Sequence, residues 1–110
     1  HRAFDAVTNP KEALEQLISL GVDRVLTSGQ KQTAEVGLNL LNELNDIADG
    51  RITILAGGGI TGVNASKFKA MGLKEIHASA SSKTESDTSL FSLPLTYSDP
   101  QKIKAILDAI

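Results

Sequence analysis

Short contiguous apolar runs alternate along the chain with longer stretches in which apolar residues recur at helical spacing. The runs are His1-Arg2-Ala3-Phe4, Arg24-Val25-Leu26-Thr27, Ile52-Thr53-Ile54-Leu55-Ala56 and Glu75-Ile76-His77-Ala78. They start at positions 1, 24, 52 and 75. Strands alternating with helices at this spacing predict βαβ units and a parallel sheet.

The stretches between carry helix signals. Asn9-Pro10-Lys11-Glu12 offers an N-cap, a proline in the first turn and an acid in the capping-box position. Leu14, Leu17 and Ile18 follow at helical spacing, and Gly21 marks the stop. A second helix is predicted from about Thr33 to Asp49, with Ala34, Leu38, Leu41, Leu44 and Ala48 on one face and Gly50 ending it. A third, shorter helix runs from about Asn64, the expected cap, to Met71, and Gly72 stops it. The fourth opens with Asp99-Pro100 and has Ile103, Ile106, Leu107 and Ile110 as its apolar stripe. From Ser79 to Ser98 the chain is dense in Ser and Thr and has no helical period. That segment reads as a lid over a site or as a disordered loop.

Four consecutive βα units suit half of a (βα)8 barrel or a small doubly wound sheet. At 110 residues the chain is a single domain, well under the roughly 250 residues of a full barrel. The glycines favour the barrel. Leu55-Ala56-Gly57-Gly58-Gly59-Ile60-Thr61 follows the third strand, where a glycine loop lets backbone N–H groups approach an anion. Phosphate-binding barrels carry such a loop after the seventh strand, where this one falls if the four strands are the last of eight. Gly57 to Gly62 also fits G-x-G-x-x-G formally. A dinucleotide site wants an acid about 20 residues on, and the next strand end holds His77, Ala78 and Ser79 instead. The expected architecture is α/β, the carboxy-terminal half of a TIM barrel, with residues 1–110 as one partial domain. Half a barrel leaves two open strand edges and an unfilled apolar face, so its missing amino-terminal half or a second copy is the expected partner. His1 in place of an initiator methionine agrees with a piece of a longer protein.

Composition narrows the function classes. With 11 Lys+Arg against 13 Asp+Glu, the formal charge of -2 leaves no electrostatic footprint for nucleic acid or an anionic membrane. No apolar run approaches the roughly 20 residues of a membrane span, so cytoplasm is the expected compartment. The absence of cysteine excludes disulfides, thiolate metal sites and cysteine nucleophiles.

In barrels the carboxyl ends of strands face the site. That places His1, Arg2 and Asp5, then Thr27, Ser28 and Gly29, then Gly57, Gly58 and Gly59, then His77 and Ser79 around one mouth. Arg2 is the natural anion clamp, and its alternative is a structural ion pair with Asp5. His1 and His77 are candidate acid–base groups, with a hydrogen-bonded strand histidine as the alternative. Thr27 and Ser28 offer hydroxyls to a ligand, or simply make a turn with Gly29. No nucleophile elbow is present, so no Ser-His-Asp triad is argued.

His1-Arg2-Ala3-Phe4-Asp5, Arg24-Val25-Leu26-Thr27-Ser28-Gly29, Ile54-Leu55-Ala56-Gly57-Gly58-Gly59-Ile60 and Glu75-Ile76-His77-Ala78-Ser79 together resemble the CutC family, named for copper homeostasis. The order and spacing agree over essentially the whole chain. The resemblance implies a TIM barrel, a cytoplasmic setting and a parent protein about twice this length, while the open strand edges make a homo-oligomer the expectation. The resemblance also implies copper as a ligand. The residues themselves supply no complete copper site, because Cu(I) prefers sulfur ligands and only Met71, which reads as core filler, is present. Two functions follow. One is a CutC-like role in copper handling. The other is a barrel enzyme or binding protein for a small anionic or phosphorylated metabolite, held by the Gly57–Gly59 loop and Arg2.

Overall fold

The computed structural model describes residues 2–83 and 96–110. It begins with a 3-10 helix at Ala3–Ala6, followed by α1 (Pro10–Ser19), β1 (Arg24–Thr27), α2 (Leu38–Ala48), β2 (Thr53–Gly57), α3 (Ala65–Ala70) and β3 (Glu75–His77). A two-stranded pair, β4 (Ser81–Lys83) and β5 (Thr96–Ser98), precedes α4 (Pro100–Ala109). β1, β2 and β3 form a parallel sheet in that order, and β4 and β5 pair antiparallel. The chain is therefore an α/β fold with parallel strands.

Local sequence accounts for the helices that match expectation. Asn9 Oδ1 accepts the Glu12 N–H at 3.2 Å, and Pro10 occupies the first turn of α1. Asp99 caps α4 in the same way, accepting the Gln101 N–H at 2.9 Å. Asn9→Ala is expected to cost about 1 kcal/mol of stability, read as a lower urea midpoint at unchanged slope.

Other expectations are corrected. The first parallel strand is not formed by the described residues at the amino terminus, because Asp5 turns back to donate its N–H to the Arg2 carbonyl at 3.1 Å. Phe4 is buried by this turn. α2 starts at Leu38 rather than near Thr33, since the chain from 33 to 37 makes a tight turn ending on Gly37. Asn64 makes no cap bond to α3. In the stripe of α4 only Ile106 is buried, whereas Ile103, Leu107 and Ile110 are exposed. The Ser79–Ser98 segment contains β4 and β5, and its centre, residues 84–95, lies outside the described residues.

The core lies on one face of the sheet. Val25 and Thr27 of β1 and Ile54 and Ala56 of β2 alternate inward and are buried, with Leu14, Leu41, Leu44 and Phe68 fully buried beside them. Each of those large side chains contributes roughly 1.5–3 kcal/mol by leaving water. The opposite face carries Leu26 and Leu55, neighbours in register and only half-buried. Arg24 on that face pairs with Glu75, two strands away, at 2.9 Å.

Candidate functional site

Parallel strands leave their carboxyl ends on one side, and a cleft of about 300 Å³ opens there. Its walls come from Leu26, the loop from Gly57 to Ile60, His77 to Ser79, and Arg2 reaching across from the amino terminus. Gly57 stands opposite His77 in the ladder. A Cβ on Gly57 would come 2.6 Å from Leu26 Cδ1, so the bare glycine gives Leu26 its place on the cleft floor. Gly58 and Gly59 have φ of +109° and +69°, which turn the loop away from the strand direction. Among the described residues, the N–H groups of Gly59 and Ile60 donate to no protein acceptor. The loop is held from behind. The Gly58 carbonyl accepts the Ala34 N–H at 2.8 Å, and Asn64 Nδ2 donates to the Gly59 carbonyl at 2.9 Å. Asn64 is thus a brace for the glycine loop, and its place before α3 had suggested only a cap.

Arg2 enters the cleft as a pinned cation. Its Nε donates to Asp5 Oδ2 at 2.9 Å, and its Nη2 donates to Ser28 Oγ and to the Lys31 carbonyl. A longer contact, 3.4 Å, joins Nη1 to the Gln32 carbonyl. Most of the fork is therefore engaged by protein acceptors, and the ion pair with Asp5 is present.

Asp5 is the hub behind it. Its carboxylate accepts from Thr27 Oγ1 at 2.5 Å, Ser28 Oγ at 2.9 Å, Ser28 N–H at 3.1 Å and Gln30 N–H at 3.2 Å. Partial burial pushes this carboxyl up, but hydrogen bonds from Thr27, Arg2 and Ser28 together outweigh burial and hold it below the ordinary value of 3.8. Gln30 adopts φ +60° and reaches back with Nε2 to the Val7 carbonyl at 2.7 Å.

The structure brings Arg2, Gly57, Gly58, Gly59, His77 and Ser79 to one cleft. Asp5, Thr27, Ser28 and Gly29 do not line it. Thr27, Ser28 and Gly29 are buried, with Thr27 and Ser28 hydroxyls on Asp5 and the Gly29 N–H on Thr27 Oγ1 at 3.0 Å. His77 is exposed at the rim. His1 lies outside the described residues. Met71 packs against the core at the end of α3, away from the cleft lining. Leu26, Ile60 and Asn64 are contributors that motif reading missed, since an apolar strand residue and a helix cap carry no sign of ligand contact.

These features define an α/β protein with a small cleft at the carboxyl ends of its parallel strands, lined by the glycine loop, Arg2 and His77. A family model described as the CutC family matches residues 1–82. The chain belongs to the CutC family. A CutC family protein of Proteus mirabilis extends the likeness to 103 residues, 94% of this chain and 41% of that protein, at 46% identity. The CutC family protein of Bacteroides fragilis is 54% identical over 81 residues, which are 73% of this chain and 32% of that protein. Its counterpart in Pectobacterium atrosepticum is 54% identical over 86 residues, 78% of this chain and 34% of the relative. A Streptococcus agalactiae structure, provisionally assigned as a copper homeostasis protein CutC, superposes with a TM-score of 0.64 at 30% identity. That match covers 70% of this chain and 39% of the other. The matched part of this chain spans about a third of its curated relatives' length.

Proposed function

We propose that this chain is the carboxy-terminal half of a cytoplasmic CutC-type (βα)8 barrel serving copper homeostasis, and that its mouth holds a small anionic metabolite. The cleft carries the ligand reading: Gly59 and Ile60, whose N–H groups donate to no protein acceptor among the described residues, line one space of about 300 Å³ together with Arg2. The barrel reading is supported by the half-exposed Leu26–Leu55 row and by β1 and β3, each with a single strand neighbour among the described residues. The remainder of a barrel, or a second copy, would cover that row.

The donor set favours an indirect part in copper handling. Cu(I) is held by soft sulfur ligands. The chain has no cysteine, and its one methionine packs against the core. Among the described residues, no group of three or more His, Cys, Asp or Glu is placed to hold a metal ion.

Inorganic phosphate, titrated while the backbone amides are followed by NMR, is expected to shift Gly58, Gly59 and Ile60. Gly58→Val is expected to weaken binding by at least about tenfold, because it removes a loop conformation that only glycine adopts easily. His77→Ala is expected to leave affinity within about threefold, since backbone amides do the binding. Silent loop amides would overturn the anion reading, and equal loss in both variants would mean a folding defect rather than a loop-specific effect. Tight stoichiometric Cu(I) in equilibrium dialysis would overturn the indirect copper role.

A further inference from the structure

Two cations beside the glycine loop, Arg2 and Lys67, are each paired with a carboxylate. Arg2 Nε is 2.9 Å from Asp5 Oδ2, and the Asp5 side chain is only 11% exposed behind it. The hydrogen bonds that Asp5 accepts from Thr27, Ser28 and Gln30 keep it ionised and fixed in that place. On the other side of the loop, Lys67 pairs with Glu35. The Asn64 side chain links that pair to the loop, donating to Glu35 Oε2 at 3.3 Å and to the Gly59 carbonyl at 2.9 Å. Among the described residues, Arg2 and His77 are the only titratable ones in the cleft lining. Lys31 is exposed and touches the site only through its carbonyl, which accepts from Arg2.

A doubly charged ligand entering this cleft meets little net positive charge. Its first charge is answered by the loop N–H groups and one remaining face of Arg2. Its second is opposed by Asp5, which competes for the same guanidinium. We infer that Asp5 sets the charge selectivity of the cleft, so that its ligand is a singly charged oxyanion rather than a phosphate dianion. This rests on the anion reading above and narrows it. Asp5 acts through Arg2 and the Thr27–Gln30 turn, as a positioning and specificity residue.

Dimethyl phosphate and methyl phosphate test this with nearly the same shape and different charge. At pH 8.5 the diester carries one charge and the monoester two, since the second phosphate pKa is about 6. Both are titrated at fixed ionic strength into the wild-type chain and Asp5→Asn, with Gly59 and Ile60 amide shifts as readout. The wild-type chain is expected to bind the diester about tenfold more tightly. In Asp5→Asn the monoester is expected to gain about tenfold while the diester changes little, because Arg2 loses its counter-charge. A wild-type chain that binds the monoester more tightly overturns the inference and leaves the anion cleft standing. So does a folded Asp5→Asn with an unchanged preference. Amides silent to both esters overturn the inference and the anion reading together. If Asp5→Asn fails to fold, the wild-type ratio decides alone.

Discussion

Gly37→Ala is expected to cost at least about 3 kcal/mol of folding stability. A Cβ at Gly37 would sit 1.9 Å from the Ser28 carbonyl oxygen and 2.9 Å from the Gly29 Cα. Both obstacles are backbone, so no rotamer relieves them. The backbone of Gly37 is in an ordinary region, with φ −87°. The requirement is space alone. The same contact constrains Gly29 from the other side, where a Cβ would come 2.2 Å from the Gly37 carbonyl oxygen. Gly50→Ala is the control. Its φ of +77° carries a backbone penalty, but nothing lies within 4 Å of its Cβ, so about 1 kcal/mol is expected. Urea denaturation of the two variants checks the contrast. A Gly37→Ala chain within about 1 kcal/mol of wild type would mean that the two loops are not in contact.

Asp5→Ala is expected to destabilise by about 3 kcal/mol, because the Thr27 hydroxyl and the Ser28 and Gln30 N–H groups lose their acceptor. Thr27 and Ser28 are fully buried, so water does not replace the carboxylate easily. The effect should depend on pH with a definite sign. The folded Asp5 carboxyl lies below its ordinary 3.8, so the unfolded chain takes up its proton first as the pH falls. The stability supplied by this ionisation is whole above 3.8 and is lost as the pH drops through the lower folded value. Urea midpoints measured from pH 7 to pH 2 should show the wild type converging on Asp5→Asn below about pH 4. A difference between the two that stays constant down to pH 2 would mean that the carboxylate form is not what the turn recognises.

What was legible in the sequence depended on how local its cause is. Asn9-Pro10 and Asp99-Pro100 begin helices because the cap, the missing N–H and the first turn all lie within four residues. Residues 1–4 misled for the opposite reason. Their apolar character suits a strand, but the Asp5 carboxylate finds its partners on Thr27, Ser28 and Gln30 and sits in a 3-10 turn to reach them. Asn64 reads as a helix cap by position, yet its amide braces Gly59 and touches Glu35 from the preceding loop.

The site divides the same way. The glycine run announced itself, since three consecutive glycines after a strand have few uses beyond close backbone approach. Thr27 and Ser28 seemed equally available to a ligand. Strand alternation instead puts Thr27 on the buried face with Val25, while Leu26 between them faces the cleft.

By itself the sequence determined the alternation of strands with helices, the capped starts of α1 and α4, and the glycine loop between β2 and α3. These follow from spacing, proline and glycine, whose effects act within a turn or two of chain. Only the tertiary structure decided that Arg2 is pinned rather than free, that Asp5, Thr27 and Ser28 support the cleft without lining it, and that Gly37 must lack a side chain. Those outcomes depend on groups 8 to 30 residues apart meeting at hydrogen-bond or van der Waals distance, and the packing of the loops against the sheet sets which of them meet.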